Sequence, residues 1–257
     1  MFKIVRKIAV LVLSSFLLLL SACSDKGIHD SYAAYRDKTA SQLYHTSKND
    51  LQHGHYNRAV KKLEALNALY PFGAYAEQGS VNLIYAYYKN DDADEAQAAA
   101  DRYLRLYPRG NYSDYAYYMK GVVAFQQGYT WLQRKAGVDR SLRDLSNLKD
   151  AYMSFNQLVV EFPESPYVPD AILRMRYIRN LYARHNLDLA QFYYDKRAYV
   201  AAANRAQEVV VHYDHSPSVV PALKIMIRSY RKLGLTTMAD NTQKILSASY
   251  PKEARVK

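Results

Sequence analysis

Residues 59–71 read AVKKLEALNALYP, and residues 96–108 read AQAAADRYLRLYP. Both open on alanine and close on tyrosine–proline, with small or apolar residues four, seven and eleven positions in. Steps of four, three and four residues stay on one face of a 3.6-residue helix. The closing proline then ends the helix, because it biases the preceding residue away from helical geometry. The same frame returns three more times, from Ala151 to Phe162-Pro163, from Ala202 to Tyr213-Asp214 and from Ala239 to Tyr250-Pro251. Between first and last positions the stripe holds Phe155 and Leu158, Ala206 and Val209, and Gln243 and Leu246. Eight positions after the turn a small residue recurs at Gly79, Ala116, Ala171 and Ala222, where it lets the next helix approach closely.

Such a unit cannot bury its apolar face alone, so units must stack. The expected fold is all-α: a tetratricopeptide-like helical solenoid of about five helix-turn-helix repeats. They run from about Asp30 to Tyr70, Pro71 to Tyr107, Pro108 to Phe162, Pro163 to Tyr213 and Asp214 to Tyr250. The third is longer by an insertion from about Gly128 to Leu148, and the fourth by extended first helices around Arg179 to Asp195. Inserted segments tend to project from one face and bind. Nine glycines and eight prolines in 257 residues suit helices better than a sandwich or barrel.

Residues 1–22 read as a targeting segment. Lys3, Arg6 and Lys7 precede an apolar run from Ile8 to Leu20. Thirteen helical residues span roughly 20 Å, too short for a hydrocarbon core of about 30 Å. The pattern fits a secretory signal rather than a permanent membrane helix. Leu20-Ser21-Ala22-Cys23 resembles a bacterial lipobox, which implies an acylated Cys23 as mature N-terminus. Cys23 is the only cysteine, so it has no internal disulfide partner. Three acyl chains anchor durably where one is marginal. Ser24, not Asp, follows, which in enterobacteria implies sorting to the outer membrane. Residues 23–30 then form a lipidated tether and residues 31–257 the solenoid. Without Lys3, Arg6 and Lys7 the net charge of +11 becomes +8, suited to an acidic partner, an anionic membrane face or simply a solvated surface. A periplasmic location offers little nucleic acid.

No catalytic constellation emerges. There is no Gly-x-Ser-x-Gly elbow, phosphate-cradling glycine loop or His-Glu-x-x-His stretch. His53 with His55, and His212 with His215, are half-sites without further ligands, so neither a metal nor a cofactor is expected. Asp91, Asp92, Asp94 and Glu95 fall where a second helix begins and are expected to cap it. Tyrosine is unusually frequent, at 26 copies. More than half can serve core packing, but consecutive tyrosines on a helix cannot all face inward. Some must line a groove or the surface, which suits extended peptides and partner proteins.

Tyr70-Pro71-Phe72-Gly73, with Leu83-Ile84-Tyr85-Ala86-Tyr87-Tyr88-Lys89, closely resembles the BamD family of outer-membrane assembly lipoproteins. So do Ala96 to Ala99 with Asp101-Arg102, the inserted Gly137-Val138-Asp139-Arg140-Ser141 with Arg143-Asp144, and Asn204-Arg205. The resemblance implies a non-catalytic scaffold of the β-barrel assembly machine, lipid-anchored and facing the periplasm. It implies C-terminal repeats that bind periplasmic domains of the barrel-forming core subunit. It also implies N-terminal repeats that receive segments of unfolded outer-membrane proteins, and contacts with accessory lipoproteins. Carried over by position, Arg205 faces the core subunit, and Asp139, Arg140, Arg143 and Asp144 bind or brace the insertion. Repeat geometry together with the family points to Tyr75, Asn82, Tyr85 and Tyr88 for the client groove. A repeat lipoprotein that binds peptidoglycan or cell-wall synthases is the alternative; it leaves residues 139–144 unexplained.

Overall fold

The computed structural model describes residues 32–127, 135, 141 and 145–253. The signal, Cys23 and residues 24–31 lie outside them, as do Asp139, Arg140, Arg143 and Asp144. The chain divides into two units, Met1–Thr39 and Ala40–Lys257. In the first, the described residues carry a single 3-10 turn, Ala33–Tyr35. All ten α-helices described below belong to the second, and its described residues contain no strand.

The helices form five antiparallel pairs: α1 Ala40–Gln52 with α2 Tyr56–Leu69, α3 Ala74–Lys89 with α4 Ala93–Leu106, α5 Ser113–Gln126 with α6 Ser146–Glu161, α7 Val168–Asp195 with α8 Tyr199–His212, and α9 Val219–Lys232 with α10 Thr236–Ser249. Each helix packs on the next in order, and first helices also touch across repeats, α1 on α3, α3 on α5 and α7 on α9. The fold is therefore two rows of helices stacked repeat on repeat.

The alanine frame is the seam of this stack. Ala59, Ala96, Ala151, Ala202 and Ala239 are all buried, as are Leu63, Ala100, Phe155 and Ala206 one turn on and Leu66, Tyr103, Leu158, Val209 and Leu246 after them. At these three positions Gln243, half-exposed in the last repeat, is the one that is not buried, and the five closing aromatics are half-buried. The small residues at the start of the next helix do the reciprocal job. A Cβ on Gly79 would meet Leu66 Cδ2 at 2.6 Å. Farther along α5, outside that frame, a Cβ on Gly121 would meet three ring carbons of Phe155 at 2.5 to 2.8 Å.

The turns repeat as closely as the helices. After α2, α4, α6, α8 and α10 the closing aromatic has φ between −132° and −137°, and its amide bonds the carbonyl four residues back. Asp214 replaces proline after Tyr213 and the aromatic keeps the same φ and the same amide bond, so proline is not required for this ending. Between the two helices of a pair, Gly54, Asp91, Arg197 and Gly234 occupy the left-handed region at φ +73°, +67°, +62° and +73°. In each the next amide reaches five residues back, from His55 to Asp50, Asp92 to Tyr87, Ala198 to Tyr193 and Leu235 to Tyr230. This is the helix-terminating motif in which glycine is the least strained choice.

Three expectations change. Asp91 is the left-handed turn residue and not a cap. Asp92 does stand at the N-cap of α4, but its carboxylate accepts from Asn90 Nδ2 at 2.5 Å and makes no capping bond. The remaining benefit is charge, from Asp94 and Glu95 in the first turn. The insertion ends sooner than Leu148, because α6 starts at Ser146 and Leu148 is buried. In the fourth repeat the extra length is one continuous 28-residue helix, α7, twice the length of α8, opened by Pro169 in its first turn.

Candidate partner-binding surfaces

The row of first helices carries an aromatic face. Tyr75, at the start of α3, packs on Tyr44 of α1 at 5.3 Å between centroids and on His45 at 5.9 Å. Farther along, Tyr118 of α5 stacks on Tyr167 at 4.8 Å, and Tyr115 meets Tyr167 at 5.5 Å. Phe125 meets Tyr177 at 5.7 Å, and the Arg174 guanidinium lies 5.2 Å from the Phe125 centroid. Tyr85 and Tyr88 pack against the same core cluster as Tyr115 and Tyr118.

The four expected groove residues do not share one stripe. At about 100° per residue, Asn82 falls on the stripe of Tyr75, Tyr85 lies roughly 80° away and Tyr88 roughly 140° away. Tyr75 thus leans on α1, while Tyr88 sits between the clusters of the second and third repeats. Asn82 and Tyr85 are half-buried. Tyr167 and Tyr177 extend the face beyond the residues that spacing within one repeat can reveal, because their contacts cross from one repeat to the next.

Polar bonds lock this face. Tyr118 Oη donates to Asp170 Oδ2 at 2.8 Å, and Arg174 Nε donates to the same oxygen at 2.5 Å. Burial alone pushes the Asp170 carboxyl up, but the bonds from Arg174 and Tyr118 outweigh it and hold it below the usual range. Burial, then the Asp170 carboxylate, pushes the Tyr118 phenol up. Burial also drives Tyr115 well above its ordinary value, helped by Tyr167, Tyr85, Tyr118 and Tyr88 around it. Glu77 Oε1 ties the second repeat to the next turn by accepting from Tyr103 Oη at 3.0 Å and from the Asn111 amide at 3.2 Å.

Arg205 is exposed on α8, with Nη1 3.4 Å from Asn186 Oδ1 on α7. Asn186 in turn donates to the Tyr182 carbonyl. Around it, the second half of α7 holds the described part of the insertion. Tyr182 Oη donates to the Leu145 carbonyl at 2.7 Å. His185 Nδ1 lies 2.7 Å from the Ser141 carbonyl, and Ser141 Oγ reaches Asp188 Oδ2 at 3.4 Å. The long insertion and the long helix, separate anomalies in the sequence, meet here, next to Arg205.

Other candidates gather no site. His53 and His55 stack at 6.3 Å, and His55 lies 3.8 Å from the buried carboxylate of Asp50, which already pairs with Lys62 and Arg58 at 2.6 and 2.9 Å. His212 and His215 pair with Glu208 and Asp214. Among the described residues no group of three His, Cys, Asp or Glu side chains could hold a metal ion, and no helix is long and apolar enough to cross a membrane.

Residues 36–245 match the family model described as YfiO, outer membrane lipoprotein. The chain is 36% identical over 249 residues to the outer membrane protein assembly factor BamD of Neisseria meningitidis serogroup B, covering 96% of this chain and 93% of that one. The chain belongs to the BamD family. Two further BamD relatives span comparable shares. That of Haemophilus influenzae is 35% identical, covering 96% of this chain and 92% of its own. That of Vibrio cholerae is 38% identical, covering 82% and 87%. Among solved structures, a putative kinesin light chain of Podosopora anserina with nearly identical TPR-like repeats covers 81% of this chain and 95% of its own, at 13% identity and a TM-score of 0.35. That score adds nothing to the fold already described.

Proposed function

We propose that this BamD-family chain is a non-catalytic scaffold for outer-membrane protein assembly, tethered by acylated Cys23 to the outer membrane on its periplasmic side. In this reading, the surface around Arg205 docks the periplasmic domains of the barrel-forming core subunit, and Asp139, Arg140, Arg143 and Asp144 of the insertion also take part in partner binding. The aromatic face that includes Tyr75, Asn82, Tyr85 and Tyr88 receives unfolded outer-membrane protein segments, and accessory lipoproteins lie along the N-terminal half. The relatives are outer membrane protein assembly factors by name, over nearly the whole chain.

The observation that carries the docking role is Arg205 itself. Its charge stands exposed on α8, and among the described residues its hydrogen bond is to a neutral amide at the limit of hydrogen-bond distance. It is available to a carboxylate, and pre-organised for a two-pronged bond. The test is co-purification from membranes in mild detergent. The unsubstituted chain brings down the barrel-forming subunit, whereas Arg205→Glu recovers little of it with unchanged helix content. Failure of the unsubstituted chain to recover any barrel protein would remove the reading.

A further inference from the structure

Two cavities of about 560 and 500 Å³ share Tyr152 and Arg179 and run together as one open groove. Its walls are α6 and the end of α8 with the following turn, and its floor is α7. Val159 and Tyr152 come from α6, Ile172, Met175 and Ile178 from α7. From Ile172 to Tyr182 the floor covers eleven residues, about 15 Å of helix. An extended chain rises about 3.3 Å per residue, so the groove matches four or five residues of it.

The rim of this apolar floor is cationic. Lys149, Arg176 and Arg179 line it. Arg179 is offset by Asp214 at 2.6 Å, but Lys149 and Arg176 form no ion pair among the described residues. His212, at the Tyr182 end, lies on the same face of α8 as Arg205, two helical turns away. Asn186, bonded to Arg205, bonds Tyr182 as well. The groove therefore opens beside the surface assigned above to the core subunit.

We infer that this groove between α6 and α8 seats an extended segment, four or five residues long with apolar side chains and at least one carboxylate, from the same partner that Arg205 engages. The apolar floor supplies contact area, and Lys149 and Arg176 select a segment of opposite charge. A recessed floor between two helices suits a narrow chain better than a lipid surface, which meets α6 and α8 first. The inference rests on the docking role of Arg205.

The test measures binding of the purified periplasmic domains of the barrel-forming subunit to the full mature chain. Lys149→Glu with Arg176→Glu, and separately Ile172→Asp, change exposed side chains and should leave thermal unfolding unaltered. Each is expected to weaken binding about tenfold, the charge pair with a reduced salt dependence. If both stay within about twofold of the parent while Arg205→Glu weakens binding, the groove is overturned and the docking surface stands. If the unsubstituted chain does not bind, both fall. If phosphatidylglycerol vesicles compete with the periplasmic domains and lose binding with the same charge pair, the occupant is a lipid and the inference is wrong.

Discussion

Gly234 and Arg197 occupy equivalent left-handed turns, at φ +73° and +62°, yet only glycine enters that region without a Cβ penalty. The penalty is about 1–2 kcal/mol for an L-residue. Gly234→Ala should therefore destabilise by roughly that amount, lowering Tm by about 2–4 °C per kcal/mol in a unit of this size. Arg197→Gly should move in the opposite direction by less, since added freedom in the unfolded chain offsets about 0.5–1 kcal/mol of the relief. Thermal unfolding of both variants checks the pair, and a stabilised Gly234→Ala would show that the turn is not strained as described. The same logic explains why Asp91 misleads as sequence. An acidic residue before a helix reads as a cap, and nothing local reveals that its own φ is positive.

The elements were legible wherever one packing constraint recurs. Alanine at 59, 96, 151, 202 and 239 is fixed because neighbouring helices leave no room there, and such a constraint shows as a period. The continuity of α7 was harder to see, because helix propensity alone does not separate one 28-residue helix from two shorter ones with polar residues between. Contacts between elements left no trace in spacing: the ring pairs at Tyr167 and Tyr177 join residues of different repeats, and the meeting of α7 with the insertion joins two anomalies some 40 residues apart. That meeting has a measurable energy. Tyr182→Phe deletes one of two bonds to the Leu145 carbonyl, which still accepts from the Leu148 amide at 3.0 Å, so the loss is that of one net hydrogen bond, about 0.5–1.5 kcal/mol. Hydrogen exchange should accelerate at the start of α6 in that variant and stay unchanged in α3 and α4. Unchanged protection in α6 would mean that α7 does not hold the segment.

The whole stack should be stable over a pH window set by its shifted groups. Asp170 is held below its ordinary 3.8 by Arg174 and Tyr118 against the effect of burial, so its contribution is present above that pH and is lost as acid protonates it in the folded state. Tyr103, Tyr115, Tyr118, Tyr167 and Tyr213 are raised above 10.0, chiefly by burial, so theirs is present below that pH and is lost as it rises. In alkaline titration these phenols should ionise only together with loss of helix signal. Ionisation of all 26 tyrosines near pH 10 with helices intact would contradict the packing. The function proposed at this scale is that of a tethered stack that holds other polypeptides in place. The measurement that meets that claim most directly is photocrosslinking in living cells from position 205, compared with positions 75 and 88. Capture of the barrel-forming subunit at 205, and of unfolded outer-membrane proteins at 75 and 88, is the predicted result. Adducts at 205 with cell-wall synthases alone, from a chain correctly placed at the outer membrane, would contradict it.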